Sequence, residues 1–157
     1  MEESPNIADI VSISISDVSE EFFNEVGESY NKDPDAYKVK MALSKDFKDK
    51  SLIENIGEPW KKGLLDGRFT MWDELLYHRT KYSGALVIVN RDHINFILME
   101  CHDTVYSGHL SEDRTFEKVR ITAWWPGWRK DVIEYCSTCE RCQKANRTSG
   151  KKFGMLQ

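Results

Sequence analysis

Apolar residues recur at helical spacing over the first third of the chain, alternate in the middle, and return to helical spacing in the last third. Residues 1–16 are polar, apart from the short alternating run VSISIS, and are expected to form a flexible terminus. Ser16 and Asp17 offer a helix cap ahead of Val18, Phe22, Phe23 and Val26, and Gly27 with the polar residues after it is expected to end that helix. A second helix is predicted from Pro34 to about Phe47, with Tyr37, Val39, Met41, Leu43 and Phe47 on an imperfect apolar side. A third, shorter one runs from Lys50 to Ile56 and is stopped by Gly57 and Pro59. At about Arg68 the period changes. FTMW, the turn residues Asp73 and Glu74, and LLYHR read as a hairpin, and ALVIVN as a third strand. Beyond Arg91, Asp92 is expected to cap a helix carrying Ile94, Ile97, Leu98 and Cys101 on one side. After the loop DTVYSGH, Ser111 caps a helix with Glu112, Asp113 and Arg114 in its first turn and Phe116 and Val119 beyond. AWWPGW breaks that helix, and a last one starts near Gly127 with Trp128, Val132, Ile133 and Tyr135 as packing candidates. The predicted class is α+β: a helical segment and a small antiparallel three-strand sheet, then a helical bundle.

Composition adds few constraints. Over 157 residues, 40% hydrophobic and 11% aromatic content suffices for a folded core. No stretch approaches the roughly 20 apolar residues of a membrane span, and the acidic start MEESPNIADI lacks the features of a secretory signal. No membrane partner is expected. Charge is more telling. Residues 1–58 carry 14 acids and 6 bases, a net of −8; residues 59–157 carry 12 acids and 16 bases, a net of +4. From Arg141 onward there are five bases and no acid. Such polarity suits a chain that meets a polyanion with one end, and a merely solubilising surface fits the charge equally well.

The cysteines carry the chemistry. All four are Cys101, Cys136, Cys139 and Cys142, three of them within seven residues, and crowding of that kind in a reducing compartment argues for metal or redox work. His102 and His109 lie upstream, and Cys139 and Cys142 follow after a gap of 29 residues. Two imidazoles and two thiolates suit one tetrahedral, structural zinc ion. The histidines are seven positions apart, so one closes a helix and the other sits in the returning loop, where Gly108 supplies conformational freedom. Zinc also answers a stability problem, since residues 91–145 form a unit too small to rest on its apolar core, and structural zinc contributes on the order of 10 kcal/mol of apparent binding energy. Thiol exchange at the CxxC and ligation by Cys136 remain alternatives; Cys101 and Cys136 read as core residues, and His78 and His93 as surface or hairpin residues.

The segment ECHDTVYSGHLSEDRTFEKVRITAWWPGWRKDVIEYCSTCERCQKANR resembles the zinc-binding domain of integrases from gypsy-class LTR retrotransposons and related retroviruses. The resemblance rests on HD followed by GH, the Arg114–Thr115 pair, the aromatic-Trp-Pro-Gly motif ending at Gly127, Asp131–Val132, Tyr135, and the closing Cys139, Cys142, Gln143 and Lys144. It implies zinc ligands at His102, His109, Cys139 and Cys142, and a three- to four-helix bundle with a helix-turn-helix-like pair. The implied organisation is a terminus at 1–16, an amino-terminal extension at 17–90, the zinc-binding domain at 91–147, and at 148–157 the start of a linker toward a catalytic core. That core needs an Asp, Asp, Glu triad; the 15 residues after Cys142 hold no acid, so a non-catalytic chain is expected. The implied partners are double-stranded DNA at LTR ends and other integrase subunits, in a nuclear complex with a cytoplasmic phase during particle assembly. Arg114, Lys118, Arg129, Lys130, Arg141, Lys144 and Arg147 are the candidate phosphate contacts by charge. The alternative is a protein–protein interaction module or a domesticated host protein derived from such an integrase.

Overall fold

A computed structural model of the chain describes residues 18–45, 50–80, 84–102 and 112–139. Helix α1 (Glu20–Ser29) is capped by Ser19, whose hydroxyl accepts from the Phe22 amide at 3.2 Å; Ser16 and Asp17 lie outside the described residues. Gly27 does not end it. The helix runs on to Ser29 and tightens into a 3-10 turn at Tyr30–Lys32, because Val26, Ser29 and Tyr30 continue a buried face. Burial of that face outweighs the cost of about 1 kcal/mol for a helical glycine. The Tyr30 hydroxyl then donates to the Val87 carbonyl at 2.6 Å and accepts from the Leu76 amide at 3.3 Å, tying α1 to two strands.

Helix α2 (Pro34–Ser44) starts as its sequence dictates: Asp33 accepts from the Ala36 amide at 2.9 Å and Pro34 occupies the first turn. Its buried face is Ala36, Val39 and Ala42, three apart, whereas Tyr37 is exposed. The small residues allow close approach where larger ones were expected. Helix α3 (Lys50–Glu54) ends two residues short of the predicted Ile56. The breakers after it conceal a further helix, α4 (Trp60–Leu65), for which Pro59 is the N-cap rather than only a stop.

The hairpin matches its prediction: β1 (Phe69–Trp72) pairs antiparallel with β2 (Leu75–Arg79), Trp72 opposite Leu75. Asp73 and Glu74 both have left-handed backbones, φ 51° and 65°, as the tight two-residue hairpin turn requires. Strand β3 (Gly84–Val87) pairs antiparallel with β2. The three-strand antiparallel sheet expected from the sequence is in fact four-stranded and mixed. Ala123–Trp124 forms β4, parallel to β3, with Leu86 opposite Ala123 and the Ile88 amide donating to the Trp124 carbonyl at 2.9 Å.

Three helices complete the described fold: α5 (Arg91–His102), α6 (Glu112–Thr122) and α7 (Trp128–Thr138). At the start of α5 the Asn90 side chain accepts from the Asp92 amide at 2.8 Å, so Asn90, not Asp92, caps it. Ile94, Ile97, Leu98 and Cys101 are buried as predicted. On α7, Trp128, Val132 and Cys136 are buried, but Ile133 is exposed. One apolar core runs from Val26 through the sheet to Cys136. Mixed helices and a small sheet make the class α+β. No helix among the described residues is long and apolar enough to cross a membrane.

Candidate metal centre and nucleic-acid interface

His102 is the last residue of α5 and is fully buried, where three helices converge on its ring. From α6, the Thr115 hydroxyl lies 2.9 Å from His102 Nδ1, itself wholly buried. From α7, Tyr135 meets the imidazole edge-on, ring centres 5.7 Å apart at 88°, and Cys136 Sγ approaches Nδ1 to 3.9 Å. A buried imidazole needs partners for its polar atoms. With Nδ1 facing Thr115, a metal would be taken by Nε2, and the proton on Nδ1 would then be donated to the threonine oxygen.

Cys139 follows α7 directly, with an extended backbone (φ −73°, ψ 113°) and its amide donating to the Cys136 carbonyl at 3.4 Å. It sits half-buried, one turn past the cysteine that touches His102. The structure thus brings the end of α5 and the end of α7 together. His109 and Cys142 lie outside the described residues, as do Arg141, Lys144, Arg147 and the predicted Ser111 cap. Among the described residues no three metal-ligating side chains cluster, since two of the expected four ligands are not among them. The residues that are described suit zinc: a buried imidazole oriented by a hydroxyl, and a thiol one helical turn beyond the residues that pack on it.

Cys101 is a packing residue. Burial pushes its thiol up to about 12, so it stays neutral between α5 and α6. Cys136 is buried as well, on the side of the ring where Thr115 lies. Thr115 is the His102 contact that reading for ligands missed, although the Arg114–Thr115 pair marked its position. His93, expected at the surface, is buried; it packs on Phe22 and its Nε2 lies 3.4 Å from Glu25, joining α5 to α1. His78 does sit in the hairpin, stacked on Trp124 at 4.7 Å.

Of the candidate phosphate contacts, Arg114 is exposed and Lys118 half-buried on α6, while Arg129 and Lys130 are exposed in the first turn of α7. The Arg129 guanidinium lies 5.4 Å from the Trp128 ring centre. Trp124, Trp125 and Trp128 are all buried in the core. In the first turn of α7, Asp131 accepts from Trp125 Nε1 at 2.7 Å and from Arg91 at 2.8 Å. Burial opposes its charge, but these two donors outweigh that and hold its carboxyl below the usual carboxylate range.

Comparison with known proteins agrees with this arrangement. Residues 89–148 match the family model described as integrase zinc binding domain. The Pro-Pol polyprotein of Simian foamy virus type 3 is 31% identical over 67 residues, 43% of this chain and 6% of the relative. Gypsy retrotransposon integrase-like protein 1 is similar too, 28% identical in Macaca fascicularis and 26% in Homo sapiens, each over 83 residues, 52% of this chain and 16% of the relative. The chain therefore spans only a small fraction of the curated relatives it matches. No solved structure matches. The segment 89–148 is thus similar to the integrase zinc binding domain family, and that likeness covers this segment rather than the whole chain.

Proposed function

We propose that this chain is a zinc-stabilised module that binds DNA ends and other integrase subunits, supporting insertion of element DNA into host DNA without carrying the catalytic step. The observation that carries the reading is the buried His102, oriented by Thr115 and packed against the end of α7 that leads into Cys139. In this proposal His102, His109, Cys139 and Cys142 hold one Zn²⁺, which supplies a closed cross-link between α5, the segment after it and the end of α7. Arg114, Lys118, Arg129, Lys130, Arg141, Lys144 and Arg147 contact phosphates. Arg129 and Lys130 sit in the first turn of α7, where the helix dipole disfavours cations, so helix stability does not account for them. The site of action is the nucleus.

Metal released on unfolding and read with a chelating dye should amount to about one zinc per chain, and His102→Ala should abolish it. A folded, metal-free chain overturns the proposal. Mobility shift of LTR-end duplexes should show binding that weakens steeply as salt rises. The primate relatives, named integrase-like rather than polyprotein, favour a second reading as a domesticated host protein derived from such an integrase. A chain that holds zinc but shifts no duplex at any salt fits that reading instead.

A further inference from the structure

An open groove of about 610 Å³ runs between the amino-terminal extension and the segment that matches the integrase zinc binding domain model. One wall is Lys62, Asp66 and Arg68, from α4 and the turn after it; the other is Trp124 to Arg129, with His78 between. Lys62, Arg68 and Arg129 are exposed there against Asp66, the one acid among the described lining residues, with the Glu58 carboxylate on the Lys62 amide just beyond, on a chain whose overall charge is −4. Positive charge is therefore concentrated locally, against the overall balance. Its floor is preorganised: His78 and Trp124 stack within 4° of parallel, and Arg129 rests by the Trp128 ring. Burial, with Arg68 nearby, pushes the His78 imidazole down to about 4, so at neutral pH the cationic character comes from the lysine and arginines. The first turn of α7 also faces this groove, with Gly127 left-handed at φ 80° and no side chain capping it, which adds favourable dipole for an anion.

We infer that this groove holds the phosphodiester backbone of a nucleic acid, with Lys62 and Arg68 of the extension joining Arg129 as phosphate contacts. The inference rests on the DNA-binding reading above and extends the binding face across β4 into a part of the chain outside the family match. Three cations along an open groove with one acid suit a line of spaced monoanionic groups better than an enclosed small ligand. Guanidinium and ammonium groups there position the backbone rather than read bases, so binding is insensitive to sequence.

The test is fluorescence anisotropy of the zinc-loaded chain with a labelled duplex, between about 50 and 200 mM salt. The Lys62→Gln/Arg68→Gln pair should weaken binding roughly tenfold and lower the slope of log affinity against log salt by about two. Lys62→Arg/Arg68→Lys should restore the slope, and Asp66→Asn should tighten binding whether or not the glutamine pair folds. Wild-type binding that the glutamine pair and Asp66→Asn leave unchanged overturns the groove while the DNA-binding reading stands. No binding by the wild type overturns both. Displacement of the duplex by polyglutamate as readily as by unlabelled DNA overturns the groove assignment in favour of an acidic protein.

Discussion

Thr115 and His102 show how much depends on one buried hydroxyl. Neither atom reaches water, and in the proposed zinc site their 2.9 Å contact would leave Nε2 as the nitrogen for the metal. Thr115→Val keeps the shape and removes the oxygen; zinc affinity, measured by competition with a chelator, should fall about 10- to 100-fold with helix content retained. Tyr30 plays a comparable part in the extension. Burial raises its phenol well above the ordinary range, so it stays protonated and donates to Val87. Tyr30→Phe leaves a strand carbonyl and an amide without that partner and should cost about 1–3 kcal/mol in urea unfolding. Asp131 adds a pH dependence. Its folded pKa is depressed, so its contribution is present above the unfolded carboxylate value and is lost as pH falls through the folded one. Asp131→Asn should destabilise by about 1.5–3 kcal/mol at pH 7, and the gap should close in acid once wild-type Asp131 is protonated.

Among the elements, α4 is the one the breakers hid. Gly57 and Pro59 read locally as a stop, yet Trp60 and Leu64 are buried and Gly63 allows the helix to approach β1. A Cβ on Gly63 would come within 2.6 Å of the Phe69 ring. Gly63→Ala gains up to about 1 kcal/mol of helix propensity but should lose about 1–3 kcal/mol through overpacking, a net destabilisation visible as a lowered Tm. The hairpin was legible to the residue, because strand alternation and its turn are local properties. Helix caps were less so: at α1 and α5 several polar residues compete, and the one chosen, Ser19 or Asn90, depends on where packing starts the helix.

For the whole molecule, β4 is the decisive feature, since it joins the sheet of β1–β3 to the segment that matches the integrase zinc binding domain model. Around it, Trp124 meets Trp60 edge-on at 5.0 Å and Phe69 at 5.2 Å, with His78 stacked on it. A shared core of that kind should unfold in one transition. Trp60→Ala, in the extension, should cost about 3–5 kcal/mol and lower the temperature at which zinc is released along with the Tm. Separate transitions for tryptophan fluorescence and metal release would contradict a single cooperative unit.

The α+β class and the hairpin were legible in the sequence because each rests on short-range period and local turn chemistry. His102 as a helix end was legible too, since two histidines seven positions apart cannot both lie on one helix turn. What only the tertiary structure decided involves contacts between distant segments: Thr115 against His102, Tyr30 against β2 and β3, His93 buried against α1, and β4 alongside β3. The two-residue β4 carries no periodicity of its own. It is a strand only because β3 offers its hydrogen-bonding edge, and its Trp124 is core only because Trp60, Phe69 and His78 surround it.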